Sequence, residues 1–463
     1  MDSEFFEPQN FDGYPAVVGL TDFIKCLQNF NDGTGISYLV RYAKNLNGKN
    51  IAPTLLRYSV SIQQNLFGNY PTESDVVPSS IFGAIFGLLG FIHLGIFIVN
   101  YSRGHYFWIS FVWFVNCVMR MIGFALRARW GHDISQVSTG LASEVFLVIP
   151  SVILVSFDLI LAQRLFTWRH PVGGSRKLFW GFMFGMYGIV SLLIALTIVA
   201  SFVPYIYYLS EKSYKAWKNV VKATSIFVIL YSLTSMILIG LSYLFPPTAK
   251  DENLYTYQPW WIESFSPFYF VRPGAAQEAE ETFMKRNHNH RHAIRVIAAT
   301  HHHYNMVEGL TNQRGALTHN VSMALIFTTT ILIFIGSLFR CIVVFQDRIA
   351  RHLSSLCKPV VMYICWGGFE ALINFLYIIG RVDLRFYRPD ILPAKVRAII
   401  TAEQSYFPSD NEEEFEDAYS VGTHLVTPEK DRQSLPYPHD DLGEKHLGEH
   451  DDDDDDNISD FHF

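Results

Sequence analysis

The chain has 463 residues, of which 50% are hydrophobic, 15% aromatic and only 17% charged, with a formal net charge of −7. A water-soluble globule carries roughly a quarter of its residues as charges, whereas here the apolar residues gather in blocks of about 20, the length that crosses a ~30 Å hydrocarbon core. The negative charge comes mainly from residues 412–417 and 451–456, so nucleic-acid binding has no support, and five scattered cysteines exclude a disulfide scaffold or a CxxC metal site.

The opening residues, MDSEFFEPQN, are acidic and lack the basic and apolar regions of a cleaved signal peptide. Targeting is therefore expected to fall to the first span, acting as an uncleaved anchor. Residues 1–80 form an N-terminal extramembrane region, with turn signals at Asn31-Asp32-Gly33 and Pro71, and are expected to fold as short helices over the membrane face.

Seven apolar segments follow, at 81–99, 107–126, 141–161, 178–208, 224–245, 323–345 and 360–380. With no water in the bilayer core, each backbone N–H and C=O must be paired within its own segment or in a closed barrel. Barrel strands alternate apolar and polar residues, and runs such as IFGAIFGLLGFIHLGIFIV do not. The sequence therefore predicts an all-α class, a polytopic transmembrane bundle of seven helices with spans 1–5 in 81–245 and spans 6 and 7 in 323–380. Pro204 is expected to kink or end the fourth helix, and the sixth is read as one long tilted helix running through Arg340.

Between spans five and six, the loop 246–322 opens with Pro246-Pro247 and an aromatic stretch. It then places Ile294, Ile297, His301, Tyr304 and Val307 on one helix face. Its histidines, His288, His290, His292, His301, His302 and His303, invite a metal-reservoir reading. Adjacent residues diverge on a helix and no carboxylate or thiolate accompanies them, so the expectation is a solvated basic segment with no metal. Residues 381–463 form a tail, acidic and poor in aliphatic residues, expected to be disordered beyond about residue 400.

Orientation is read from loop Lys and Arg residues. The excess is slight, and the cluster Arg164, Arg169, Arg176 and Lys177 argues best for an N-terminus outside or lumenal and a cytoplasmic C-terminus. The tail then offers a surface for a cytoplasmic protein partner, alongside membrane lipids.

Ionisable side chains inside spans cost at least ~2.5 kcal/mol each if unpaired, which singles out Arg120, Glu144, Asp158, Arg340 and Glu370, with His93, Asn116 and Asn374 as neutral partners. The expected pairs are Arg120 with Asp158 and Arg340 with Glu370. Such residues line a polar pathway or pocket in one reading and serve as interhelical glue in the other. The last segment has no lysine for a Schiff base, and His93 is the one histidine within the segments, too few for an intramembrane zinc hydrolase. No nucleophile, base and metal assemble from the spans, so the chain is expected not to be an enzyme and to need no cofactor.

The run 120–129, the segment Asp158-Leu-Ile-Leu-Ala-Gln-Arg-Leu with His170-Pro171, and Gly380-Arg-Val-Asp-Leu-Arg-Phe with Pro389 resemble fungal seven-span membrane proteins of unknown function, over roughly residues 80–390. A looser similarity extends to the fungal lipid-translocating exporter family. The resemblance implies the seven-span topology and no catalytic residues. Gln163-Arg164 and the arginines of 381–388 are expected to anchor helices at anionic headgroups. Two functions follow as expectations: transport or translocation of lipids or small amphipaths, or a seven-span receptor or sensor signalling through its loop and tail.

Overall fold

The structure, a computed structural model of the chain, describes residues 15–48, 51–170, 177–246, 262, 264–275 and 319–387. The histidine-rich stretch of 288–303 and the acidic tail lie outside these residues. Three short helices come first, α1 (Pro15–Gln28), α2 (Ile36–Asn47) and α3 (Pro53–Ser61). α3 starts on Pro53, whose fixed φ and missing N–H suit the first helical position.

Seven helices long and apolar enough to cross a membrane follow. They are α4 (Val76–Ser102), α5 (Ile109–His132), α6 (Val137–Arg169) and α7 (Lys177–Ile206). A fifth span, Glu211–Leu244, is made of α8 (Glu211–Ser232) and α9 (Thr234–Leu244); α10 (His319–Gln346) and α11 (Pro359–Ile379) are the sixth and seventh. A short turn of helix, α12 (Val382–Arg385), closes the described chain. Among the described residues there is no strand, only an isolated bridge between Gln64 and Ile349.

The distribution of side chains identifies the solvent. Leu178, Phe91 and Leu192 are 87%, 70% and 69% exposed, while Arg120, Arg127 and Arg381 are 0% exposed. In water each exposed side chain of this size would forfeit about 1.5–3 kcal/mol; against lipid tails it forfeits nothing. The chain is an integral, multi-pass membrane protein.

In lipid the helices gain little from hiding apolar surface, so close approach and dispersion must hold them together. α4 meets this with Gly83, Gly87 and Gly90, spaced to lie along one helix face and apposed to Phe124, Met121 and Cys117 of α5. The entry to the first span is fixed by a capping box, in which the Thr72 N–H donates to Asp75 Oδ2 at 2.9 Å.

α1 to α3 cover one end of the bundle. Phe30, Leu39, Tyr58 and Ile62 form a small core against Tyr208, and Ile36, Val40 and Val60 join Tyr70, Trp130 and Tyr205 in another. Gly35 sits at φ +71°, and a Cβ there would collide with the Tyr208 ring. Its N–H donates to the Pro204 carbonyl at 2.7 Å, tying α2 to the end of α7.

Two spans run well past their apolar stretches. The fifth begins at Glu211 rather than near residue 224, because the polar turn that hydropathy excludes carries Lys218 and Lys222, which reach Asp347 at 2.6 and 3.2 Å. The third continues to Arg169 and carries Pro150 inside it. Pro204 lies within α7, which ends two residues later, and α10 runs without a break through Arg340.

Gly140 supplies a test of the packing at this end. A Cβ there would fall on the Trp130 ring. That ring is pinned, because its N–H donates to the Ile134 carbonyl at 3.1 Å and its face meets Tyr70 edge-on. Gly140→Ala should lower stability by about 1–3 kcal/mol, the usual cost of overpacking a filled site. The thermal midpoint of the purified protein in detergent checks this, against Gly95→Ala, where a Cβ meets nothing within 4 Å.

Candidate functional site

Three helices carry polar or aromatic groups at a strict seven-residue interval. α5 has Trp113, Arg120 and Arg127; α6 has Glu144, Ser151 and Asp158; α11 has Tyr363, Glu370 and Tyr377. Seven residues are about two turns, or ~10 Å of rise, so each helix offers one group at each of three depths. α5 runs opposite to the other two, and the nine side chains meet as three layers.

In the layer nearest α1 to α3, Arg127 lies 3.5 Å from Glu144 and 3.7 Å from Asp75. It also donates to the carbonyls of Gly68 and Asn69 at 2.7 and 3.1 Å, and its guanidinium lies over the Tyr363 ring. The Tyr363 hydroxyl donates to Asp75 Oδ1 at 3.0 Å and shares a 2.7 Å hydrogen bond with Ser79. One buried cation is thus spread over two carboxylates.

In the middle layer Arg120 forms an ion pair with Glu370. Ser151 closes the triangle: Arg120 Nη2 donates to Ser151 Oγ at 2.9 Å, and Ser151 Oγ donates to Glu370 Oε1 at 2.7 Å. The Trp366 ring lies 5.6 Å from the Arg120 guanidinium carbon, adding a cation–π contact. The arrangement satisfies the requirement that a buried charge be both paired and hydrogen-bonded.

The third layer has no cation. Asp158 accepts from the hydroxyls of Tyr377 at 2.7 Å, Thr329 at 2.9 Å and Thr330 at 3.2 Å. Tyr377 in turn stacks on Trp113 with ring centroids 4.8 Å apart.

α11 does not reach these depths as a regular helix. Residues Tyr363–Phe369 are wound as a π-helix, between the first two layers, around the pair Gly367-Gly368. A Cβ on Gly367 would strike the Phe82 ring, so this wide turn lets α11 lie against α4. Such π turns recur at functional sites, and this one aims Trp366 and Glu370 into a cleft.

The cleft runs between α6, α8, α10 and α11 as two cavities that share Arg340 and Trp366. The inner has free space of about 30 Å³, room for one or two waters, and is lined by Ser151, Ser225, Ser337 and Glu370 together with aliphatic side chains. The outer, also walled by Thr197, Ser201 and Tyr205 of α7, has about 70 Å³ of free space and reaches a mouth between Gln64–Phe67 of the N-terminal segment and Asp347 and Arg348 at the end of α10. Glu144, Arg340 and Glu370 line the cleft; Asp158 belongs to the third layer and lines neither cavity.

The opposite end of the bundle is tied shut. Arg381, at φ +46°, pairs with Asp383 at 2.7 Å, stacks over Phe270, and donates to the carbonyls of Ser266, Pro267 and Tyr269. Asn100 of α4 donates to Asp383 at 2.8 Å, and His105 Nε2 donates to the Asp383 carbonyl at 2.9 Å. Burial would raise the Asp383 carboxyl, but the hydrogen bond and charge of Arg381 outweigh it and hold it below the ordinary carboxylate value. Burial pushes His105 down, more strongly than its contacts with Asp383 pull it up.

Over residues 171–387 the chain is similar to a family described as a protein of unknown function (DUF3112). No curated protein and no solved structure matches it. The matched span starts after α6, later than the resemblance traced from residue 80, and holds Arg340, Glu370, Tyr377, Arg381 and Asp383.

Several expectations change. Arg120 takes Glu370 rather than Asp158, since Asp158 lies a layer away and is met by hydroxyls. Arg340 is not paired with Glu370, although both line the inner cavity. Arg381 is no headgroup anchor but fully buried, and Arg164 donates to the Phe386 carbonyl. Arg127, Asp75, Asp383 and His105 went unnoticed as site residues because they sit at or beyond segment ends; their signal was the seven-residue step from Arg120, and Asp383 two residues after Arg381. Among the described residues no group of three His, Cys, Asp or Glu side chains gathers as a metal site.

Two predictions test the layers and the knot. Glu370→Gln leaves the Arg120 charge uncompensated and should cost about 3–5 kcal/mol, while Arg120→Met with Glu370→Leu recovers most of it; thermal unfolding of the three proteins in detergent gives the comparison. For the knot, the folded protein favours neutral His105, so this stability is complete above the unfolded-state value and declines as pH falls below about 6.5. Asp383 adds a loss in the same direction below about pH 4. His105→Phe, which keeps a ring against Tyr387, should flatten the first part of the melting-temperature profile and leave the second.

Proposed function

We propose that the protein binds a lipid or small amphipath in the cleft between α6, α8, α10 and α11 and carries it across the bilayer. The observation that carries this reading is the cleft itself: a narrow space inside the spans, with Glu144, Arg340 and Glu370 among aliphatic side chains in its lining, that opens toward one end and widens to admit a ligand. A pure structural scaffold would close such a space, because each polar group facing hydrocarbon is costly. The reading assigns no bond-making step to the chain and no cofactor. We place the N-terminus outside or in a lumen, on the Arg164 to Lys177 cluster.

A second reading has its own support. Gln63, Gln64 and Asn65 are bonded to the loop after α10, through Ala350 N–H to Gln63 carbonyl at 2.8 Å and Asn65 N–H to Arg348 carbonyl at 3.0 Å. A ligand in the mouth would therefore be felt by the N-terminal helices, as in a receptor that signals through its loop and acidic tail to a cytoplasmic protein.

Gly336 separates the readings. It lines the inner cavity, and a Cβ there makes only ordinary contact with Cys365 at 3.6 Å. Gly336→Ala should narrow the cavity and slow the exchange of fluorescent lipid between leaflets of reconstituted vesicles toward the protein-free rate, with the thermal midpoint retained. Wild-type protein that leaves exchange at the protein-free rate overturns transport. Loss of function on deleting residues 401–463, with the bundle intact, supports the receptor.

A further inference from the structure

Of the five ionisable side chains expected inside the spans, four are engaged: Arg120 with Glu370, Glu144 with Arg127, and Asp158 with three hydroxyls. Arg340 is different. It makes no hydrogen bond or ion pair among the described residues. It is half-buried and lines both cavities. The field of Glu144 reaches it, and that carboxylate shares Arg127 with Asp75.

The outer cavity is lined by three cations, Lys218, Arg340 and Arg348, against two carboxylates, Glu144 and Asp347. Glu370 is neutralised by Arg120, and Asp347 by Lys218 and Lys222. The remaining charge at the mouth, Arg348, is also a cation and is exposed. A guanidinium between helices whose fork makes no hydrogen bond is costly and therefore marks a function, and that planar fork of donors matches a carboxylate or phosphate two-pronged. Past it the inner cavity continues into Val228, Leu332, Ile333 and Ile373, an apolar floor.

We propose that Arg340 binds the anionic headgroup, phosphate or carboxylate, of the amphipath that occupies the cleft. The aliphatic floor beyond it takes apolar chain, and the hydroxyl of Ser337 supplies a further donor beside the headgroup. This deepens the reading above and rests on it.

The test uses the full-length protein in phosphatidylcholine nanodiscs and three probes with one fluorescent tail: a phosphatidate, a fatty acid and a phosphatidylcholine. Wild-type protein should favour at least one anionic probe over the zwitterion by about tenfold, and Arg340→Gln should remove that preference, the size expected of a lost charge-assisted hydrogen bond. Arg340→Lys keeps the charge without the fork and should retain part of it. Whichever anionic probe wins tells phosphate from carboxylate. Arg340→Gln takes a countercharge from Glu144, so any loss of thermal midpoint is read beside Arg340→Lys, which keeps the charge. If Arg340→Gln fails to fold, the wild-type preference and the lysine variant decide. Equal binding of all three probes by wild type, or an anionic preference unchanged in Arg340→Gln, overturns this inference and leaves the carriage of an amphipath standing. Wild type that binds none of the probes overturns both.

Discussion

A charge that enters a bilayer must bring its partner with it, and that constraint organises this bundle. Arg120, Ser151 and Glu370 join α5, α6 and α11 at one depth; Arg127 and Glu144 join α5 to α6 a layer away; Asp158 ties α6 to α10 and α11 on the other side. Dispersion between helices cannot choose among rotations of a smooth apolar rod, because a lipid tail packs against leucine about as well as another leucine does. Polar pairs can, since a misrotated helix strands a charge. The seven-residue step makes the choice cooperative: the slip that breaks one layer breaks all three.

This explains which parts of the fold were legible in the sequence. The seven spans were, because hydropathy over twenty residues is a sum that tolerates local exceptions, and Arg340 or Pro204 alters it little. Span ends were less so: α8 begins thirteen residues before its apolar segment, as Lys218 and Lys222 lie on a helical turn that hydropathy counts as loop. The polar residues were found, but their partners were not. Arg120 and Asp158 stand on consecutive spans and have opposite charge, which suggests a pair, yet pairing depends on depth and rotation. The interval of seven shared by Glu144, Ser151 and Asp158 held that information, and Ser151, uncharged, hid the middle step.

The π turns of α11 had no readable signal beyond Gly367-Gly368. A π stretch advances the chain less per residue than an α-helix and shifts the faces that follow. Here it separates Tyr363, which faces Asp75 and Ser79, from Trp366 and Glu370, which face the cleft. Without that shift the heptad positions would keep to the seam between α5 and α6, and the cleft would lose the wall it shares with the middle layer.

The two ends of the bundle differ in kind. At the Arg381 end, one guanidinium holds three loop carbonyls and a carboxylate, and that carboxylate also takes Asn100 from α4. These are charge-assisted bonds closed on themselves, with a backbone position in the left-handed region that the contacts must hold in place. At the other end the cleft's mouth is bounded by Gln64–Phe67 and by Asp347 and Arg348, held through backbone hydrogen bonds and through the pairs of Asp347 with buried Lys218 and partly exposed Lys222. Opening the first end means breaking several buried interactions together; opening the second means moving a loop. Under the proposed carriage of an amphipath, the ligand enters by the mouth, and reaching the far side requires that occupancy near the middle layer loosen the knot through α11, the helix that carries Glu370 and runs directly into Arg381.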